Sequence, residues 1–171
     1  IFPMREAVIV DAIRTPIGRA VKGSLRHVRA DDLASVPIKA LLERNPEVDF
    51  STGVDVMYRA AGGDGEPGYN VARNASLIAG LDYHVPGTTV NRFCASSLQT
   101  IRMAFHAIKA GEGDTYIAGG VEAVSRSGGG ANFQFHPQLD GSEGSAYNVY
   151  IPMGMTAENV ADEYHVTREE Q

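Results

Sequence analysis

Cys94 is the single cysteine among 171 residues, and a cysteine whose surroundings favour the thiolate is a nucleophile. It lies in the run Thr88-Thr89-Val90-Asn91-Arg92-Phe93-Cys94-Ala95-Ser96-Ser97-Leu98-Gln99-Thr100-Ile101. Thr88, Thr89 and Val90 are β-branched and read as a short strand. Leu98, Ile101, Phe105 and Ile108 then recur three and four apart, as on one face of a helix. Cys94 therefore falls where a strand hands over to a helix. Unpaired N–H groups and the positive end of the helix dipole favour a thiolate there. Ala95, Ser96 and Ser97 are small and leave room for a substrate to reach the sulfur. The competing reading, a small buried hydrophobe, describes most free cysteines; the placement at a turn argues against it.

Other chemistry-bearing residues are weaker candidates. Glu122 follows Gly119-Gly120 at a strand end, a frequent place for functional side chains, and a turn residue is the alternative. None of the histidines 27, 84, 106, 136 and 165 makes a metal spacing with another or with Cys94. His106 lies twelve residues beyond Cys94, about 18 Å away on one straight helix, so it reads as a surface residue and not as the base for that thiol. Gly63-Asp64-Gly65-Glu66-Pro67-Gly68 fits a dinucleotide-loop template. Asp64 and Glu66 would oppose a pyrophosphate and Pro67 removes an N–H donor, so a connector is the better reading. Asn74-Ala75-Ser76 matches a glycosylation sequon but sits in an expected helix.

The elements that must position these groups alternate. Ala7-Val8-Ile9-Val10 reads as a buried strand and Arg14-Thr15-Pro16-Ile17-Gly18 as a turn. Asp31 and Asp32 open a helix with Leu33, Val36, Ala40 and Leu41 as its apolar stripe, and Pro37 should kink or loosen it. A strand is expected over 54–60, a glycine-rich loop over 62–68, and a helix over 71–79 ending at Gly80. The Cys94 strand and helix follow, ending near Gly111, then a strand over 115–118. Residues 125–150 show no sustained periodicity and read as an irregular excursion. A last helix begins at Met155-Thr156-Ala157-Glu158 with Thr156 as cap. This alternation predicts a layered α/β fold.

Composition excludes several classes. The chain carries 15 Lys and Arg against 21 Asp and Glu, a formal charge of −6, and no Trp. That balance argues against nucleic-acid binding, which needs a clustered basic footprint. No apolar run approaches the roughly 20 residues that cross a bilayer, and no secretory signal is recognisable. One cysteine cannot form an internal disulfide, so a cytoplasmic location is expected. The chain begins at Ile1 and ends on Thr167-Arg168-Glu169-Glu170-Gln171, where Thr167 and Glu170 form a capping-box signal. It therefore reads as a fragment of something longer.

Four separated segments resemble thiolase sequence in the family's order and near its spacing. They are Ala7 to Val10 with Arg14 to Gly18, Asn91 to Leu98, Gly119-Gly120-Val121-Glu122-Ala123-Val124-Ser125, and Met153-Gly154-Met155-Thr156-Ala157-Glu158-Asn159-Val160. The resemblance implies a thiolase-like domain with a mixed five-stranded sheet between helices over 1–124. It implies the start of an inserted loop domain over 125–171, with the C-terminal half absent. Cys94 would be the nucleophile that takes an acyl group from acyl-CoA, and its backbone N–H an oxyanion donor. Met153 would line the acyl pocket, and Asn91 and Glu122 would support the turn. The implied chemistry is reversible Claisen condensation or thiolysis of 3-ketoacyl-CoA. It needs no metal or prosthetic group, its partners are acyl-CoA and CoA, and the assembly is a homodimer or homotetramer.

Ala95 and Ser97 stand where many thiolases have glycine. Pro152 precedes Met153 where biosynthetic members carry histidine, which leans towards the degradative type. Thiolysis in the family also needs a histidine and a second cysteine from a later half, so negligible turnover is expected of these residues alone. Two rivals remain. A decarboxylating ketosynthase of the same superfamily has a similar cysteine motif, although Asn91-Arg92-Phe93 favours thiolase. A non-catalytic assembly module on the same scaffold is the other.

Overall fold

The computed structural model describes residues 5–50, 54–59 as backbone, 68–126 and 134–171. The chain forms two compact units, 1–129 and 130–171. In the first, strands β1 (Val54–Arg59), β2 (Gly87–Val90) and β3 (Thr115–Ala118) make a parallel sheet in the order β2-β1-β3. Val56 pairs with Gly87 on one side of β1 and with Ile117 on the other. Parallel strands need crossover connections, and helices supply them. Helices α1 (Ala30–Arg44) and α2 (Val71–Ala79) pack together, and α3 (Ser96–Ala110) joins β2 to β3.

The core lies between α1, α2 and the sheet. Ala34 and Ile38 of α1 meet Val71, Ala72, Ala75 and Ala79 of α2, with Leu81, Val85, Ile117 and Val121. The alanines keep the two helices close. Helix α2 ends at Gly80, whose φ of 92° is the left-handed C-terminal conformation that glycine adopts without strain. Helix α3 ends in the same way at Gly111, with φ 81°. Both stops stand where the glycines predict them.

The described residues hold three parallel strands of the mixed sheet of five that is expected. Other expectations are corrected. Residues 7–10 form no strand among the described residues, and Ile9 is 82% exposed. The segment is held at its ends instead. Arg5 pairs with Asp114 and its carbonyl accepts from Lys109 (2.6 Å), while Asp11 accepts from Arg44 (2.7 Å) and Asn45 (3.0 Å). Helix α1 includes Pro37, and its buried line is Ala34, Ser35 and Ile38, with Val36 of the expected stripe turned out.

The second unit carries α4 (Met153–Tyr164) and, before it, irregular chain closed by an isolated Asp140–Asn148 bridge. Pro152, not Thr156, caps α4. Proline cannot continue a helix on its N-terminal side, so the residues after it start one, and the Thr156 hydroxyl turns back to the Pro152 carbonyl (3.5 Å). At the chain end the capping box is formed. Thr167 N–H donates to Glu170 Oε2 (2.9 Å) and Glu170 N–H to Thr167 Oγ1 (3.3 Å).

Candidate active site

Strand β2 ends at Val90, and a tight, hydrogen-bonded turn carries the chain into α3. Asn91 Oδ1 accepts the Phe93 N–H at 2.8 Å, a side-chain turn of the kind Asn favours. Phe93 sits at φ 46°, the left-handed region, which costs an L-residue with a bulky side chain about 1–2 kcal/mol. A short 3-10 turn, Phe93–Ala95, follows and runs into α3. Ser96, fully buried, locks it: its Oγ accepts from Arg92 N–H (2.6 Å) and donates to the Phe93 carbonyl (2.6 Å). The Arg92 guanidinium reaches Gln99 Oε1 at 2.7 Å. These bonds hold a bend that leaves the Cys94 thiol exposed at the N-terminal end of α3. Among the described residues, no acceptor meets the Cys94 backbone N–H.

The neighbouring strand end is stitched to the same helix. Thr100, also fully buried, places its Oγ 2.7 Å from the Ser97 carbonyl and 3.1 Å from the Gly119 carbonyl. Gly119 follows β3 directly, so α3 is tied to both strand ends from which Cys94 and Glu122 emerge. Both lie at the carboxyl edge of a parallel sheet, where ligands bind in open α/β folds. Glu122 is half-buried. Three residues on, Ser125 Oγ accepts from the N–H of Val21 (2.8 Å), a β-branched residue held at φ 65°. The Gly-Gly-x-Glu-x-x-Ser stretch thus anchors the bend at 19–23 to the β3 exit.

Comparison with known proteins settles the family. Residues 7–171 match the family model described as "Thiolase, N-terminal domain". The chain belongs to the thiolase family. A 3-ketoacyl-CoA thiolase of Idiomarina loihiensis is 45% identical over 168 residues, covering 98% of this chain and 43% of that protein. A beta-ketoadipyl-CoA thiolase of Acinetobacter baylyi is 47% identical over 183 residues, covering 98% of this chain and 45% of the relative. A 3-ketoacyl-CoA thiolase of Shewanella oneidensis is 44% identical over 168 residues, with coverage of 98% and 43%. The chain thus spans less than half the length of the curated thiolases it matches.

Within this thiolase chain the candidate residues fall in two places. Cys94, Asn91 and Glu122 belong to the first unit. Met153 opens α4 in the second unit and is 74% exposed. His106 lies on the exposed side of α3, its ring edge-on to Phe105 at 5.3 Å. No group of three potential metal ligands occurs among the described residues. No described helix is long and apolar enough to cross a membrane. Residues 63–67 of the glycine-rich template lie outside the described residues.

Reading by residue type missed Ser96 and Thr100. They are four apart on the buried face of α3, and a polar pair at helical spacing on the side away from Leu98 and Ile101 was the available signal.

Proposed function

We propose that this chain carries the nucleophile of a degradative thiolase, which moves acyl groups between coenzyme A thioesters through an acyl-Cys94 intermediate. One observation supports this most: an exposed cysteine at the mouth of α3, on a bend that a buried serine holds in place. In thiolysis the Cys94 thiolate attacks the 3-keto carbonyl of a 3-ketoacyl-CoA. The bond between its second and third carbons breaks, and acetyl-CoA leaves after its carbanion takes a proton. The thiolate of a second CoA then attacks the acyl thioester, releasing acyl-CoA and restoring Cys94.

The Cys94 N–H donates to the developing oxyanion; such a donor is worth about 3–4 kcal/mol in related chemistry. Asn91 sets the bend by binding Phe93 N–H, Glu122 supports it from the β3 exit, and Met153 lines the acyl pocket. The chemistry uses no metal or prosthetic group. The general base for Cys94 and the acid for the departing carbanion come from a histidine and a second cysteine outside these residues. Turnover by the 171 residues alone is therefore negligible. The complete protein is a cytoplasmic homodimer or homotetramer with a mixed five-stranded sheet in the domain spanning 1–124, and its loop domain begins at 125. The names of the relatives suggest 3-ketoacyl-CoA or a dicarboxylic analogue as substrate.

Intact-mass measurement after incubation with acetyl-CoA tests this. An acetyl adduct localised to Cys94, absent in Cys94→Ser, is the expected result. No adduct on Cys94 in either the chain or a protein of the relatives' length would overturn the reading.

A further inference from the structure

We infer that Asn70 and Thr89 are positioning residues for Cys94: their side-chain pair fixes where β2 ends and so where the elbow stands. The inference rests on Cys94 being the acyl-accepting nucleophile. Asn70 directly precedes α2 and caps it, yet its shortest bonds do not serve the helix. Its Oδ1 accepts from Arg73 N–H at 3.4 Å, whereas it accepts from the Thr89 hydroxyl at 2.8 Å. Its Nδ2 donates to the Gly87 carbonyl, also at 2.8 Å. Thr89 Oγ1 in turn accepts from Ala72 N–H at 3.2 Å. One amide therefore grips β2 at two residues, and the strand hydroxyl grips α2. The backbone of Asn70 fits this purpose better than plain capping. A helix cap normally has extended dihedrals, but Asn70 sits at φ 54° and ψ 70°.

Two more contacts make the grip specific to one register. A Cβ built on Gly87 would lie 2.7 Å from both Cα and N of Arg73. A slip of β2 by one residue would bring Pro86 or Thr88 to that spot, and neither fits. Arg73 also donates through its guanidinium to the carbonyls of Tyr83 and Val85, holding the approach to the strand. Among the described residues β2 pairs on one side only, with β1. A four-residue edge strand has few ladder bonds with which to resist slippage, and a slip turns every side chain to the other face. From Thr89 to Cys94 the chain has little slack: Val90 ends the strand and Asn91 closes the turn on Phe93. Displacing Thr89 therefore displaces the sulfur relative to the end of α3.

The test compares the rate of Cys94 alkylation by iodoacetamide across the thiol titration range, together with thermal midpoints. The proteins are the unaltered chain, Asn70→Ala, Thr89→Val, Thr89→Ser, and Ile38→Val as a core change on α1. Thr89→Val and Asn70→Ala are expected to lower the alkylation rate about tenfold near neutrality, a tenfold change being about 1.4 kcal/mol. Thr89→Ser keeps the hydroxyl and should restore the original profile, and Ile38→Val should lower the thermal midpoint with the profile unmoved. Unchanged profiles in folded Asn70→Ala and Thr89→Val would overturn the inference, and if one of them fails to fold the other decides. Altered alkylation in these variants, with no acetyl-CoA adduct on Cys94 in either the unaltered chain or a protein of the relatives' length, would instead overturn the acyl-transfer reading and leave the positioning intact.

Discussion

At Phe93 and Ser96 two single residues pull the elbow in opposite senses, and their energies can be measured separately. Phe93 is 72% exposed, so little packing would be lost by removing its ring. Its left-handed backbone costs about 1–2 kcal/mol that glycine would not pay, against about 0.5–1 kcal/mol of extra unfolded-chain entropy for glycine. Phe93→Gly should therefore leave stability unchanged or raise it by up to about 1 kcal/mol in urea unfolding. Ser96 is the opposite case. It is fully buried, and its hydroxyl answers one donor and one acceptor of the bend. Ser96→Ala leaves both without a partner and should cost about 1–3 kcal/mol. Its Cys94 should also acetylate more slowly, because the turn it holds is the one that aims the thiol. Equal and small effects of both substitutions would show that the bend is held by the helix and strand alone.

The elements show how far sequence reading reaches. Helix α2, with its Gly80 stop, and the three strands stand where periodicity, β-branched runs and breakers place them. Helix α3 is legible as a helix but not in its orientation. Leu98, Ile101 and Phe105 form the stripe that pattern reading assigns to the core, yet Leu98 is 69% exposed. The face turned inward is Ser96, Thr100, Ala104 and Ala107, all buried. Those residues recur at the same helical spacing, so periodicity cannot choose between a bulky stripe and a small one. Close approach to the sheet and the Thr100–Gly119 bond decide for the small face. Cys94 was legible because a lone thiol at a strand-to-helix junction is conspicuous. The Asn70–Thr89 grip was not, because it joins residues 19 apart that only the fold brings together. Residues 7–10 failed for a third reason: their apolar run says nothing about which strand would pair with them. The orientation of α3 makes a direct prediction for the 171-residue chain. Leu98→Lys should change stability by no more than about 0.5 kcal/mol, while Ala104→Leu should destabilise by about 1–3 kcal/mol through overpacking. The reverse order in thermal or urea unfolding would put the bulky stripe back in the core.

At the scale of the whole molecule, five carboxyl groups among the described residues are shifted, all downward, and together they shape its behaviour in acid. Asp11 is held below the ordinary carboxyl value chiefly by the Asn45 amide, with Ala12 N–H and the Arg44 charge also favouring the carboxylate. Asp31 is lowered chiefly by hydrogen bonds from Arg29. Asp82 is lowered by His84, Asp140 by Ser142 and Glu170 by Thr167. A carboxyl whose folded pKa is depressed contributes stability that is fully present above its unfolded value. That contribution disappears as pH falls through the folded value. The reference value for the aspartates is 3.8, so the thermal midpoint should be insensitive to these groups above about pH 5 and fall steadily below about pH 4. The five sites should not contribute equally. The side chains of Asp82, Asp140 and Glu170 lie in exposed turns, where water screens what their partners supply. Asp31 is buried at the start of α1, and Asp11 joins the 7–10 segment to the end of that helix, so these two should dominate. Asp31→Asn and Asp11→Asn are expected to lower the midpoint at neutral pH and to flatten its fall in acid, because the groups that titrate are gone. Asp140→Asn should leave the acid limb as steep as before. If all three variants kept the original slope, acid unfolding would have to come from groups other than these paired carboxylates.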